Sequence, residues 1–296
     1  MKLIISFCNP PETKKDIFTL LFVDTIKGDQ HWLGKELPSI GATGITQDEK
    51  NIYAIYQSSP TKLATINKHS LDTVHIQDLE QVQDPHSIYL RSDGLLYVVS
   101  TGNDQILAYR WDNMGHAFLY QGVFWKPPYS KGKEDTHHIN AITSYQGDIC
   151  ISAFGTKKTG QWSSSTDGYV YNITSEMLLQ KNIYHPHSLY TFDDHLFCCE
   201  SSTRSVLRDG KVIFRLPRGY IRGLVVQKKT LIIGASNGRK RSKSTEMTNN
   251  PADEGALDPC CEISIFKQNP IIQHYKKILH YDFSSVQQEI YDVAML

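Results

Sequence analysis

Apolar and polar positions alternate in short bursts along this chain, and no long amphipathic helix pattern competes with them. Stretches 95–100, 106–111, 148–153, 195–199 and 230–235 are brief and rich in β-formers, which predicts strands. Turn residues separate them, as in Ser92-Asp93-Gly94, Gln146-Gly147-Asp148, Asp193-Asp194 and Asp209-Gly210. Six further segments read as one strand repeated: 41–46, 84–89, 137–142, 185–190, 219–224 and 289–294. Each precedes a second apolar strand except the last, which ends the sequence.

The repeated anchor positions are Thr43, His86, Asn140, His187, Arg222 and Tyr291. Their spacings are mostly near the ~40–50 residues of a four-stranded propeller blade. The pattern predicts an all-β chain, a six-bladed β-propeller forming a single domain over 1–296, with five or seven blades as alternatives. Residues 289–294 read as an inner strand with nothing after it. Residues 2–8 and 16–24 read as second and third strands with no inner strand before them. Joining the two closes the ring and hides strand edges.

Lys and Arg number 31, as do Asp and Glu, so the formal net charge is zero. Global attraction to nucleic acid or to an anionic membrane is not expected. The basic run 239–243 reads as solvated. The apolar N-terminal run is too short for a signal-peptide core, and no stretch approaches the ~18 apolar residues of a membrane span. A cytoplasmic protein is the expectation. Two vicinal cysteine pairs and no Cys-x-x-Cys spacing point to reduced, buried thiols.

In a ring, the polar residues of the innermost strands converge on one axis. Residues two apart share a strand face, so Asp84 joins His86, His138 joins Asn140, His185 joins His187, Tyr220 joins Arg222, and Glu289 joins Tyr291. Two polar layers are expected at one channel mouth. The second-strand exits, including Glu200 and residues 236–239, should rim it. The long insertions 155–167 and 238–258 leave from the same exits, where binding loops commonly sit.

Neutral imidazoles bind transition metals, and carboxylates complete or orient the shell. His86, His138 and His187 are the expected ligands of a divalent transition metal. The structural alternative is hydrogen bonding between blades. Arg222 reads either as a clamp for a substrate carboxylate or phosphate or as the partner of Glu289 or Asp292. Tyr220 and Tyr291 read as proton donors or as packing aromatics, and Trp162 as a ligand cover or a rim residue. Asp84 and Asp135 also suit turns. There is no Gly-x-Ser-x-Gly elbow and no phosphate loop.

His86-Ser87-Ile88, His138-Ile139-Asn140, His187-Ser188-Leu189, Arg222-Gly223-Leu224 and the terminal 289–293 stretch occur in that order. Over roughly 84–296 the chain thereby resembles a family of bacterial propeller-like proteins grouped as conserved hypothetical or domain-of-unknown-function. That resemblance implies the fold and no agreed activity. A looser likeness links it to gluconolactonase-type propellers and to the virginiamycin B lyase type. These imply an axial metal site, with Glu, Asn and Asp ligands in the first and nearby His and Glu in the second. This chain is His-rich where the gluconolactonases are not, which sets it apart from lactone hydrolysis on calcium.

The resulting expectation is a metal-dependent lyase or hydrolase acting on a small polar or anionic substrate. Glu289, Arg222 and Tyr291 are its catalytic candidates. Asn140, Arg222, Trp162, Glu200 and Arg239 are its substrate contacts. The alternative is a non-catalytic module that binds a small ligand or peptide at the same mouth.

Overall fold

The computed structural model describes residues 1–9, 18–37, 41–128, 130–237, 260–269, 274–287 and 289–296. Its strands form six four-stranded sheets, and the described strand pairs are antiparallel. The fold is that of a six-bladed β-propeller, as the repeats predict. Strands β1 (Lys2–Cys8), β2 (Leu20–Asp24) and β3 (Gln30–Leu33) make one sheet with the last strand of the chain. The next sheet holds β4 (Ala42–Gln47), β5 (Asn51–Tyr56), β6 (Thr61–Asn67) and β7 (Thr73–Leu79). It is followed by β8 (Pro85–Leu90), β9 (Leu95–Ser100), β10 (Gln105–Asp112) and β11 (Ala117–Trp125).

The fourth sheet is β12 (Ile139–Tyr145), β13 (Asp148–Ala153), β14 (Gly168–Asn172) and β15 (Met177–Ile183). The fifth is β16 (Pro186–Phe192), β17 (His195–Glu200), β18 (Ser205–Arg208) and β19 (Lys211–Arg215). The sixth is β20 (Tyr220–Gln227), β21 (Thr230–Ser236), β22 (Cys261–Gln268) and β23 (Tyr275–Asp282). Finally β24 (Glu289–Met295) pairs beside β1, so the first sheet takes its inner strand from the other end of the sequence.

Burial follows position within each sheet. Second strands such as β9 and β21 are nearly continuous apolar runs, and both are almost wholly buried. Outer strands such as β7 and β23 mix exposed with half-buried residues, and the exposed ones include apolar Val74, Ile76 and Ile278 beside charged Asp78, Lys276 and Lys277. Several hairpins turn on paired left-handed residues. Asp193 and Asp194 have φ of 51° and 57°, and Asp209 and Gly210 have 49° and 77°. This is the geometry that suits the right-handed twist of flanking strands.

Residues 1–142 with 291–296 form one compact unit, and 143–290 form another. In the first unit, Ile4, Leu20, Ile52 and Ile66 build one core, and Ile55, Leu63, Ile88 and Val98 another. In the second, Phe197, Val206, Leu224 and Ile233 share a core. All six cysteines are reduced and buried, and burial pushes the Cys150 and Cys260 thiols up to about 12.

Buried hydroxyls stitch successive sheets together at the ends of their second strands. Thr101 Oγ1 donates to the Ile139 carbonyl at 2.5 Å, and Ser201 Oγ to the Ile221 carbonyl at 2.6 Å. Ser236 Oγ accepts from the Ile290 amide at 2.7 Å, and Ser6 Oγ from the Asp292 amide at 2.9 Å. Small hydroxyls serve here because each satisfies a backbone group that packing would otherwise strand.

Candidate functional site

All six anchor positions lie on the first strand of their sheets: Thr43 on β4, His86 on β8, Asn140 on β12, His187 on β16, Arg222 on β20 and Tyr291 on β24. All six are buried. The register slips between Ala42 and Gly44, between Pro85 and Ser87, between His187 and Tyr190, and between Arg222 and Leu224. These bulges fall at or beside the anchors. A bulge bends its strand and re-aims the side chain there.

The bulges correct the expected alternation. Asp84, His138 and His185 have φ of 49°, 53° and 54°, so they precede their strands in left-handed backbone rather than extending them. The rule that residues two apart share a face holds only for extended chain. At these three positions the expected two-apart pairing gives way to local turns, whereas Tyr220 and Arg222 lie together within β20, and Glu289 and Tyr291 within β24.

In the first unit, the His86 ring stands edge-on to His138, with centroids 4.9 Å apart, and to Tyr291 at 5.5 Å. Asp84 Oδ2 lies 3.4 Å from His86 Nε2, and its other oxygen accepts from Gln57 Nε2 at 2.8 Å. Asp135 accepts from both the amide and Nδ1 of His138, at 3.0 and 2.8 Å. The loop carrying Asp135 is itself pinned by fully buried Asp104, which accepts from the Thr136 amide and hydroxyl and from the His137 amide. Burial raises the Asp104 carboxyl above its ordinary range, against the pull of these donors.

In the second unit, a contiguous set runs along β16 and β20. His187 Nδ1 lies 3.1 Å from the His185 carbonyl and 2.9 Å from Ser201 Oγ. A carbonyl only accepts, so Nδ1 carries the proton and Nε2 keeps the lone pair of the neutral ring. His185 is the reverse. Its Nε2 donates to the Trp162 carbonyl at 3.1 Å, which leaves the lone pair on Nδ1. That Nδ1 faces Ser202 Oγ at 2.9 Å and the Tyr220 hydroxyl at 3.1 Å.

The His185 ring stacks on Phe154, with centroids 4.4 Å apart and planes 9° from parallel. His187 stands edge-on to both Phe154 and Tyr220. The Arg222 guanidinium lies 5.0 Å from the Tyr220 ring centroid and donates from Nη1 to Glu289 Oε2 at 3.1 Å. The arginine–Glu289 pairing, one of the two readings of Arg222, is thus formed. Cation, phenol and two imidazoles of opposite tautomer stand in one connected cluster.

The 155–167 loop packs against this cluster. Buried Trp162 meets Phe154 edge-on at 6.0 Å, with Lys157 Nζ 4.1 Å from its ring centroid. Gly155 starts the loop at φ 84°, where an added Cβ would sit 2.7 Å from the Asp167 carbonyl, so no other residue fits without movement. Thr156 Oγ1 bonds Asp167 Oδ2, and Ser165 Oγ bonds the Phe154 carbonyl, so the loop is fastened at both ends. Glu200 accepts from the Tyr184 amide and the Thr203 hydroxyl, tying the turn after β17 to the start of β16. Arg239 and the 238–258 insertion lie outside the described residues.

His86 and His138 belong to the first unit and His187 to the second. Among the described residues, no group of three or more His, Cys, Asp or Glu side chains is placed to hold a metal ion. The sequence reading missed Ser202, Phe154 and Asp104. Ser202 and Phe154 each had a signal, their places in the second-strand exits after β17 and β13. Among the described residues, no helix is long and apolar enough to cross a membrane.

A family model described as Domain of unknown function (DUF4915) matches residues 46–296. No curated protein sequence matches the chain. Among solved structures it is similar to a provisionally assigned 6-phosphogluconolactonase from Bacteroides fragilis, at 10% identity and TM-score 0.59, covering 99% of this chain and 97% of that one. The periplasmic gluconolactonase PpgL of Pseudomonas aeruginosa matches at 12% identity and TM-score 0.51, with 97% of both chains covered. A chain of the nidogen/laminin complex matches at 11% identity and TM-score 0.61, covering 99% of this chain and 97% of that one. At such identities the likeness establishes the fold alone.

Proposed function

From the premise that this chain belongs to the DUF4915 family, we propose that it is a hydrolase of small polar esters or lactones bearing a negative charge. The observation that carries this reading is the second-unit cluster, where Arg222 stands with two imidazoles locked in opposite tautomers. Arg222 binds the anionic group of the substrate. A guanidinium has five donors in a fixed fork, so it can serve Glu289 and a second anion together. The lone-pair nitrogens, His185 Nδ1 and His187 Nε2, are the candidates for general base, and the imidazolium formed on taking a proton returns it as general acid. The Glu289 carboxylate, engaged by Arg222, holds the clamp in position, and the base role passes to the imidazoles. The gluconolactonase among the fold neighbours lends support by analogy only.

The test is acid release from a panel of neutral and anionic lactones and esters, followed by pH-stat titration. Faster turnover of the anionic members, with Arg222→Lys raising KM for them about tenfold, is the expected result. No release from any member sinks the reading. Saturable binding of the same compounds without turnover moves the protein to the non-catalytic class.

A divalent transition metal is a further proposal. His138 and His187 are each held through Nδ1 by an oxygen acceptor, the support that metal-ligating imidazoles ordinarily receive. The described residues hold no three-ligand group, so no step above is routed through a metal. Elemental analysis of purified protein, with thermal melts before and after chelation, decides it.

A further inference from the structure

We infer that Ser202 is a catalytic nucleophile, with His185 as its base and the Trp162 carbonyl as the group that orients the imidazole. This rests on the hydrolase reading and gives it a mechanism. Nucleophilic serines are recognised by geometry: hydroxyl to imidazole within hydrogen-bond reach, and the far nitrogen fixed by a third group. All three parts are present in the second unit. Ser202 Oγ is 2.9 Å from His185 Nδ1, and His185 Nε2 is 3.1 Å from the Trp162 carbonyl.

The carbonyl fixes the tautomer. It also accepts from the Ser165 amide at 2.9 Å, inside the short 3-10 turn Trp162–Ser164, so it cannot swing away without breaking that turn. Phe154 stacked on His185 stops the ring from rotating. Ser202 itself is exposed, whereas its neighbour Ser201 is fully buried and committed to the Ile221 carbonyl. Two adjacent serines thus divide the work: one fastens the sheets, and the other presents its oxygen to solvent beside a base. The Tyr220 hydroxyl shares Nδ1 at 3.1 Å, but its ring is held against the Arg222 guanidinium.

The reaction is acyl transfer from a carboxylic ester, a lactone included. Ser202 Oγ attacks the carbonyl carbon while its proton passes to His185 Nδ1. The ester C–O bond breaks, and the alkoxide leaves with that proton. Water then attacks the acyl-serine, giving its proton to the same nitrogen, and the carboxylic acid departs as the serine recovers its hydrogen.

A fluorophosphonate probe tests this without knowledge of the natural substrate. The purified full chain is incubated with the probe, digested, and the modified peptide read by mass spectrometry. The same panel of esters is assayed in parallel. Modification of Ser202 is expected, lost in Ser202→Ala and in His185→Gln, with hydrolysis falling about 100-fold or more. Circular dichroism melts confirm that both variants fold. If His185→Gln unfolds, Ser202→Cys replaces it, its alkylation rate against pH reporting a thiol beside a base. Modification at Tyr220 or another residue overturns the assignment, as does undiminished modification in His185→Gln. Ester turnover with no modified serine overturns the nucleophile and leaves the hydrolase reading standing. Ser202 modified in a protein that turns over no ester upholds the nucleophile and sinks the substrate class.

Discussion

At the starts of their inner strands, the first unit seats its imidazoles on carboxylates, and the second seats them on carbonyls and hydroxyls. His138 leans on Asp135 and His86 on Asp84, whereas His185 and His187 lean on the Trp162 and His185 carbonyls and on Ser201, Ser202 and Tyr220. The matched strand starts fix where these histidines stand. The partners contributed locally by each sheet decide what they can do. A carboxylate adds charge and locks a loop, as the Asp104–Asp135 arrangement shows. A carbonyl dictates only which nitrogen keeps its lone pair, and so prepares the ring to take a proton from a hydroxyl.

The contrast breaks most severely at Glu289. Its loss leaves the nine-tenths buried Arg222 guanidinium without its carboxylate, and Glu289→Ala should cost about 3–5 kcal/mol in urea unfolding. Replacing both residues by apolar ones of similar volume should recover most of it. Next comes the first unit's buried carboxylate. Asp104→Asn should cost about 1–3 kcal/mol and broaden the His138 ring signals in nitrogen NMR as the Asp135 loop loosens. A cost near zero would mean that Asp104 does not hold that loop.

Acidity gives a finer test. Asp292 accepts from the Ile45 and Val293 amides, and loss of water pushes its carboxyl up to about 7, from the usual 3.8. The folded state therefore keeps a proton that the unfolded state releases. This group's stabilisation is full below pH 3.8 and falls as pH rises towards 7, by at most ~1.4 kcal/mol per pH unit. Melts from pH 4 to pH 8 should show that slope in the wild type and lose it in Asp292→Asn. The smallest effect compares one latch across the units. Thr101→Val should cost about 1 kcal/mol. Ser201→Ala should cost more, since Ser201 also supports His187. Equal costs would show that His187 does not depend on its serine.

Much of the scaffold was legible in the chain. Short runs rich in β-formers and the turn residues between them located the second strands, and the segment 289–294 is indeed the inner strand beside β1. The six anchors were found because inner strands repeat a polar residue at one position. The local geometry around them was not legible. Positive φ at Asp84, His138 and His185 leaves only a weak mark, since Asp and His are enriched in the left-handed region but mostly adopt extended backbone all the same. Nor does sequence show that one serine of the Ser201–Ser202 pair is buried and the other exposed, because that depends on which carbonyl the next sheet brings near. Tautomers lie further still from the sequence, since they are written by the acceptors that folding assembles.

The pairing of β24 beside β1 also bears on how the protein is made. Ser6 and Asp292, 286 residues apart, bond directly. A ribosome extruding this chain releases β1, β2 and β3 long before the strand that shields their edge. Until then the nascent first sheet shows an apolar flank, inviting chaperones or wrong partners. The slow search for so distant a mate makes a strand 286 residues downstream of Ser6 the one that commits the first sheet to its native form.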